Sequence, residues 1–193
     1  MIYILEDFMN SLRTRLDRTL AAVLVVDIQE RMVAAMESAL LARMLNRAVA
    51  LLQGAQALGL PVLVTEQYPK GLGRTIEQIA SALPEGAPVI EKIEFSCAVP
   101  EVMERLKERR QVLLCGMEAH VCVFQTARDL LEKGWVPYLC ADALLSRTAE
   151  DRQIGLERAR ELGAVVTTVE CALFDMLGKA GTPEFKRVSA AVR

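Results

Sequence analysis

Aromatic side chains are scarce in this chain: Phe, Trp and Tyr make up 5% of it, with a single Trp. So few rings do not furnish the stacking platforms on which proteins lay unpaired bases. No block of like charge stands out, and the formal net charge is -2. Neither a nucleic-acid footprint nor a basic membrane patch is written here. No apolar run approaches the ~20 residues that a membrane-spanning helix needs. C-x-x-C pairs are missing too. The five cysteines, Cys97, Cys115, Cys122, Cys140 and Cys171, are odd in number and widely spaced. That argues against a disulfide framework and for a reduced, cytoplasmic setting. Histidine occurs once, at His120, and a lone imidazole builds no metal centre. The expectation is no metal, no cofactor, no nucleic-acid partner and no membrane.

Apolar residues are what the chain has in plenty: 52% of 193 positions, enough for one sizeable core. One domain is expected over residues 1–193. Residues 1–18 read as an N-terminal extension and 183–193 as a polar tail with at most one more helical turn. The first apolar run is broken by Glu6 and Asp7, and its basic residues come after it, so it is no signal peptide. Residues 1–8 differ in character from the rest of the chain, and Met9 is an alternative start.

Six short apolar runs alternate with helical patterns. Residues 21–27, AAVLVVD, form a continuous β-branched run of the kind buried on both faces of a parallel sheet. Residues 38–58 repeat apolar positions at three and four, with Ser38 as N-cap and Gly59 closing the helix. Further strands are expected at 61–65, 88–92, 112–115, 136–140 and 165–169. Helices are expected near 75–83, 99–109, 118–133, 149–162 and 171–179. Strand–helix alternation means βαβ units. The fold class is therefore α/β: a doubly wound, mostly parallel six-stranded sheet with helices on both faces, Rossmann-like in layout.

In such sheets ligands bind beyond the carboxyl ends of the strands. The first strand ends in Asp27 and the third in Lys92; the fourth runs through Gly116 into a helix carrying Cys122. An acid, a base and a thiol thus converge on one edge. A cation and a helix start are expected to lower the thiol pKa. Asp27 can take the thiol proton and return it to a leaving group. Free backbone N–H groups between Glu118 and Cys122 can hold an oxyanion. A site at the edge of a single domain suits a small-molecule substrate.

These residues lie in recognisable motifs. VLVVDIQERM, EKIEFSC, CGMEAHVCVFQTARDLLEKG and DALLSRTAED resemble, in order, the acid, lysine, nucleophile and D-A-x-x-S-R segments of the isochorismatase-like cysteine hydrolases. The likeness runs from about Thr19 to about Lys186. TEQYPKGLG, ECALF and PEFK resemble the branch of isochorismatase domain-containing proteins. The resemblance implies the isochorismatase-like hydrolase fold and a catalytic triad of Asp27, Lys92 and Cys122. It implies a cis peptide at Met117–Glu118 that turns the Glu118 N–H toward that of Cys122, making an oxyanion hole, and a homo-oligomer. Nicotinamidases of this superfamily carry Asp and His after the second strand to bind a metal. Here that stretch is EQYPKGLGR, and Glu66 alone is a poor site, so neither that activity nor a required metal is expected.

Each residue also has a plainer role. Cys115, Cys140 and Cys171 read as structural, and Cys97 as structural or at the pocket edge. Phe95, His120 and Tyr68 are candidates to line a substrate pocket, against core or surface roles. Asp142 and Arg147 are expected to contact each other within their loop. Glu118 disfavours an anionic substrate if it faces inward and says nothing if it faces solvent. The expected function is a metal-independent hydrolase that attacks a small amide-like substrate through a thioester. The alternative is a catalytically silent ligand-binding or interaction module; a redox-sensing thiol would require a resolving cysteine near Cys122.

Overall fold

The structure, a computed structural model, describes residues 10–193; the question of a start at Met9 lies outside the described residues. Six strands, β1 (Ala21–Val26), β2 (Val62–Gln67), β3 (Val89–Lys92), β4 (Gln111–Met117), β5 (Val136–Leu145) and β6 (Val165–Thr167), form one sheet. Their order is β3-β2-β1-β4-β5-β6, and every pairing is parallel. The chain winds outward from β1 to β3 and then restarts beside β1 with β4. The boundary between β1 and β4 is therefore the switch point where a doubly wound sheet opens for a ligand.

The apolar run of β1 explains its central place. Successive side chains point to opposite faces. Val23 and Val25 join the core under helices α1 (Ser38–Leu58), α5 (Val169–Leu177) and α6 (Pro183–Ala191). Leu24 and Val26 join the core under α2 (Pro100–Leu106), α3 (Phe124–Glu132) and α4 (Ala149–Glu161). A strand feeding two cores has no polar face, so it shows no alternation. Short helical turns at Glu30–Val33, Pro69–Leu72 and Glu77–Ala80 occupy the connections around β2. Among the described residues no helix is long and apolar enough to cross a membrane.

Several boundaries differ from the sequence expectation. β2 and β4 each run two residues further, to Gln67 and Met117. β5 continues to Leu145 instead of stopping at Cys140. A register shift allows this extension: Leu114 faces Leu139, but Gly116 faces Leu144. Polar Asp142 inside ADALL disguised a strand as a loop. At α1 the cap is Glu37, whose carboxylate accepts from the Ala39 N–H, and Ser38 is already helical. The polar tail is a nine-residue helix, capped by Thr182 and started by Pro183. Val188 inserts into the α1 side of the core, while Arg187 reaches the Ala57 carbonyl and Arg47 the Val192 carbonyl.

Gly116 is the tightest point of the sheet. Its φ is 122°, and a Cβ there would collide with the Val26 carbonyl. Only glycine lets β4 cross so close to the end of β1, and this brings the next segment over Asp27.

Candidate active site

The first strand hands directly to the site. Asp27 follows β1 in a left-handed conformation, φ 50°, and is fully buried. Its N–H donates to the Thr65 carbonyl on the neighbouring strand, 3.2 Å. Its carboxylate is held at both oxygens. Lys92 Nζ donates to Oδ2 at 2.7 Å, and Thr65 Oγ1 donates to Oδ1 at 2.7 Å. Both partners of the Asp27–Lys92 ion pair have side chains with 0% exposure.

Lys92 closes β3, two strands away from β1. Its ammonium also reaches Gln67 Oε1 at 2.8 Å and the carbonyls of Glu94 and Phe95 at 3.1 and 3.2 Å. Three N–H hydrogens thus face four acceptors. Burial works to lower the Lys92 pKa, but Cys97, Asp27 and Cys122 outweigh it and hold it above the ordinary lysine value. Lys92 is a fixed cation with no lone pair to offer. Gln67 is itself clamped: its N–H donates to Gln29 Oε1 at 2.7 Å and its Nε2 to the Ile93 carbonyl at 2.9 Å.

Cys122 lies on a π-helical turn, Ala119–Val123, that precedes α3. The Val123 N–H reaches back five residues to the Glu118 carbonyl, 3.2 Å. The peptide Met117–Glu118 is cis, as the resemblance implies. The Ala119 N–H donates to Ser146 Oγ at 3.1 Å, and the same hydroxyl meets His120 Nδ1 at 3.0 Å. Gly155 lets α4 press against this turn, since a Cβ there would strike His120 Cα and the Ala119 carbonyl.

The thiol does not carry the lowered pKa expected from the sequence. Burial, and after it the Asp27 charge, push Cys122 well above the usual thiol value; Lys92 opposes them without winning. Lys92 spends its charge on Asp27, so the resting thiol keeps its proton and faces a carboxylate able to accept it.

Cys97 belongs to this cluster rather than to the pocket edge. It is fully buried, and its Sγ is 3.3 Å from Thr65 Oγ1. Its N–H donates to Thr126 Oγ1 at 2.8 Å, whose own proton goes to the Cys122 carbonyl at 2.6 Å. Burial first, then the Asp27 charge, push the Cys97 thiol up to about 11.

The other candidates lie around this cluster. Phe95 and Tyr68 are exposed, at 55% and 53%, and lend backbone groups to the site. The Phe95 carbonyl holds Lys92, and the Tyr68 N–H donates to the Lys92 carbonyl at 2.8 Å. His120 is half-buried and tied to Ser146. Glu118 is buried, yet Arg147 covers its charge through N–H and Nε at 3.2 and 3.0 Å. The expected Asp142–Arg147 contact is replaced: Asp142 accepts from the Val169 N–H at 2.9 Å and faces Arg47 at 3.7 Å. Glu66 is taken up by Arg74 and Thr75. Among the described residues no group of three or more His, Cys, Asp or Glu side chains is arranged to hold a metal ion.

Thr65, Gln67 and Thr126 escaped sequence reasoning, and Ser146 was seen only as part of the D-A-x-x-S-R segment. Thr65 and Gln67 had one available signal: they are two apart at the end of the strand beside β1, hence on one face.

Comparison with known proteins agrees with this fold. The chain is 44% identical over 150 residues to the secreted isochorismatase effector Isc1 of Phytophthora sojae, covering 74% of this chain and 71% of that protein. It is 42% identical to isochorismatase domain-containing protein 1 of Salmo salar, covering 74% of this chain and 51% of that protein. The chain thus spans about half the length of that relative. The structure of MAR1 ribonuclease from Caenorhabditis elegans superposes with a TM-score of 0.88 at 35% identity, covering 93% of this chain and 92% of that one. An isochorismatase domain model matches residues 21–171, the span that carries every strand and every side chain of the buried cluster, and the chain belongs to the isochorismatase family, with the α/β fold of its hydrolases.

Proposed function

We propose that the protein is a metal-independent cysteine hydrolase acting on a small amide-like substrate, with Cys122 as nucleophile, Asp27 as proton carrier and Lys92 as fixed cation. The observation that carries this reading is the fully buried Asp27–Lys92 pair set against the buried Cys122 thiol. A buried ion pair is weak support for stability alone, and this one stands against a thiol whose proton its carboxylate can take.

The chemistry follows the protons. As Cys122 Sγ bonds to the substrate carbonyl carbon, its proton passes to Asp27, and the carbonyl oxygen becomes an oxyanion. In this reading the backbone N–H groups of Glu118 and Cys122 hold that oxyanion. Collapse breaks the C–N bond, Asp27 returns the proton to the departing amine, and a thioester remains. Water then attacks with Asp27 as base, releasing the acid and restoring the thiol. Lys92 holds Asp27 in place through the ion pair at the start of each half-reaction.

Glu118 is neutralised by Arg147, and Lys92 by Asp27, so this centre suits an uncharged reacting group. The ribonuclease reading attached to the nematode structure finds little support in a net charge of -2 and a lysine with no donor to spare for phosphate. Four buried cysteines without disulfides favour a reducing, cytoplasmic setting.

The test is a screen of small amides and N-carbamoyl compounds with wild type and Cys122→Ala, coupled to intact mass measurement of rapidly acid-quenched reactions. Wild type is expected to turn over a substrate and show an acyl adduct on Cys122. The alanine variant should lose on the order of 10⁴-fold or more in rate. Turnover retained in Cys122→Ala would overturn the assignment. Binding without turnover by either protein would favour the silent module instead.

A further inference from the structure

We propose that Thr65 is a positioning residue that sets the protonation geometry of Asp27, with Cys97 as the thiol that orients Thr65. This rests on the reading of Asp27 as the proton carrier for Cys122.

Thr65 grips Asp27 twice, through its carbonyl and through its hydroxyl. The hydroxyl has one hydrogen and three neighbours: Asp27 Oδ1 at 2.7 Å, Cys97 Sγ at 3.3 Å and the Val25 carbonyl at 3.4 Å. The short contact to a charged oxygen takes the hydrogen. The Thr65 oxygen is then left to accept from the Cys97 thiol. The result is an ordered chain, Cys97 S–H to Thr65 O–H to Asp27 Oδ1, entirely buried. Cys97 is itself fixed by its N–H to Thr126, which holds the carbonyl of Cys122. Asp27 and Cys122 are thus joined by a second route, through Thr65, the side chain and backbone N–H of Cys97, and Thr126.

The hydroxyl can serve both states of the carboxylate. While Asp27 is ionised, Thr65 donates to Oδ1. Once Asp27 carries the proton from Cys122, the Thr65 hydrogen can turn to the Val25 carbonyl, 3.4 Å away, and its oxygen can accept from a proton on Oδ1; no covalent bond of Thr65 breaks. A valine in this place would fill the space and serve neither state. The titratable groups facing Asp27 are Lys92 from β3, Cys122 from the π-helical turn and Cys97 from the segment after β3.

The test requires no substrate. Alkylation of Cys122 by iodoacetamide is followed by peptide mass spectrometry across a pH series. A carboxylate that loses a hydroxyl donor binds a proton more readily. In Thr65→Val the acid limb of the profile should therefore move to higher pH by about one unit. Thr65→Ser, which keeps the hydroxyl, should overlay wild type. Cys97→Ala should shift the limb in the same direction by less. A purely packing role would lower the melting temperature and leave the limb in place. A Thr65→Val profile that overlays wild type, or a Thr65→Ser profile that moves as far as Thr65→Val, would overturn the proposal. If Thr65→Val does not fold, an unmoved limb in Cys97→Ala overturns it. Turnover retained in Cys122→Ala would sink the nucleophile reading, but it would leave these profiles as they are, so the two failures are distinguishable.

Discussion

Lys92 shows what a single residue does in this site. It is a charge without a free hydrogen, held by one carboxylate, one amide and two carbonyls. Removing it strands Asp27 as an uncompensated buried anion. Lys92→Met is therefore expected to cost about 3–5 kcal/mol of stability, measured by urea unfolding. Adding Asp27→Asn to Lys92→Met should restore part of that loss, because the stranded charge goes with it. A double variant no more stable than Lys92→Met would contradict this account. The same residue shows the limit of reading sequence alone. An acid, a base and a thiol at three strand ends were legible as groups that come together. The lowered thiol pKa was not a sound inference, because sequence reveals neither how deeply the thiol is buried nor that Lys92 is already committed to Asp27. Thr65 was hidden for a different reason: threonine is an ordinary strand former, and nothing local marks one that faces a carboxylate.

Among the elements, β2 and its following loop are bound by one carboxylate. Glu66 is buried and accepts from the Thr75 N–H, the Thr75 hydroxyl and Arg74 at 2.7, 2.8 and 2.9 Å. Burial works to raise its pKa, but these donors prevail and hold it below the usual carboxylate value. The stabilisation is present above the ordinary glutamate range and is lost as pH falls through the folded-state value. Glu66→Gln should cost about 1.5–3 kcal/mol near neutral pH, or about 3–12 °C in melting temperature for a chain of this size. That gap should narrow on acidification; a gap that widens would reverse the sign assigned here. Element types were readable wherever one signal dominated, as in the continuous apolar run of β1 and the helical period of α1. They were misread where two signals met. The last residues of β5 carry Asp142, whose carboxylate serves the N-terminus of α5, so a polar residue inside a strand looked like the start of a loop. The π-helical turn has no sequence signature separate from that of an α-helix. The terminal helix looked like a tail because its apolar contact is confined to few residues, Val188 foremost.

At the scale of the whole molecule, one sheet edge is unfinished. Beside the edge strand β3 stand Val89, Ile93, Phe95 and Tyr68, all exposed, with Ile93 at 76%. Clustered apolar side chains on an otherwise polar rim mark a contact surface. We propose that a homo-oligomer forms through this edge. Light scattering should give a mass above that of one chain, and Ile93→Asp with Phe95→Ser should lower it. A monomeric wild type would remove the assignment. The sheet order has a further consequence. Asp27 and Thr65 leave the ribosome well before Cys122, and β4 must slot in beside β1 before the thiol meets either. The growing chain thus carries the Asp27 carboxylate early and the Cys122 thiol late, and the two meet only when the middle of the sheet has closed.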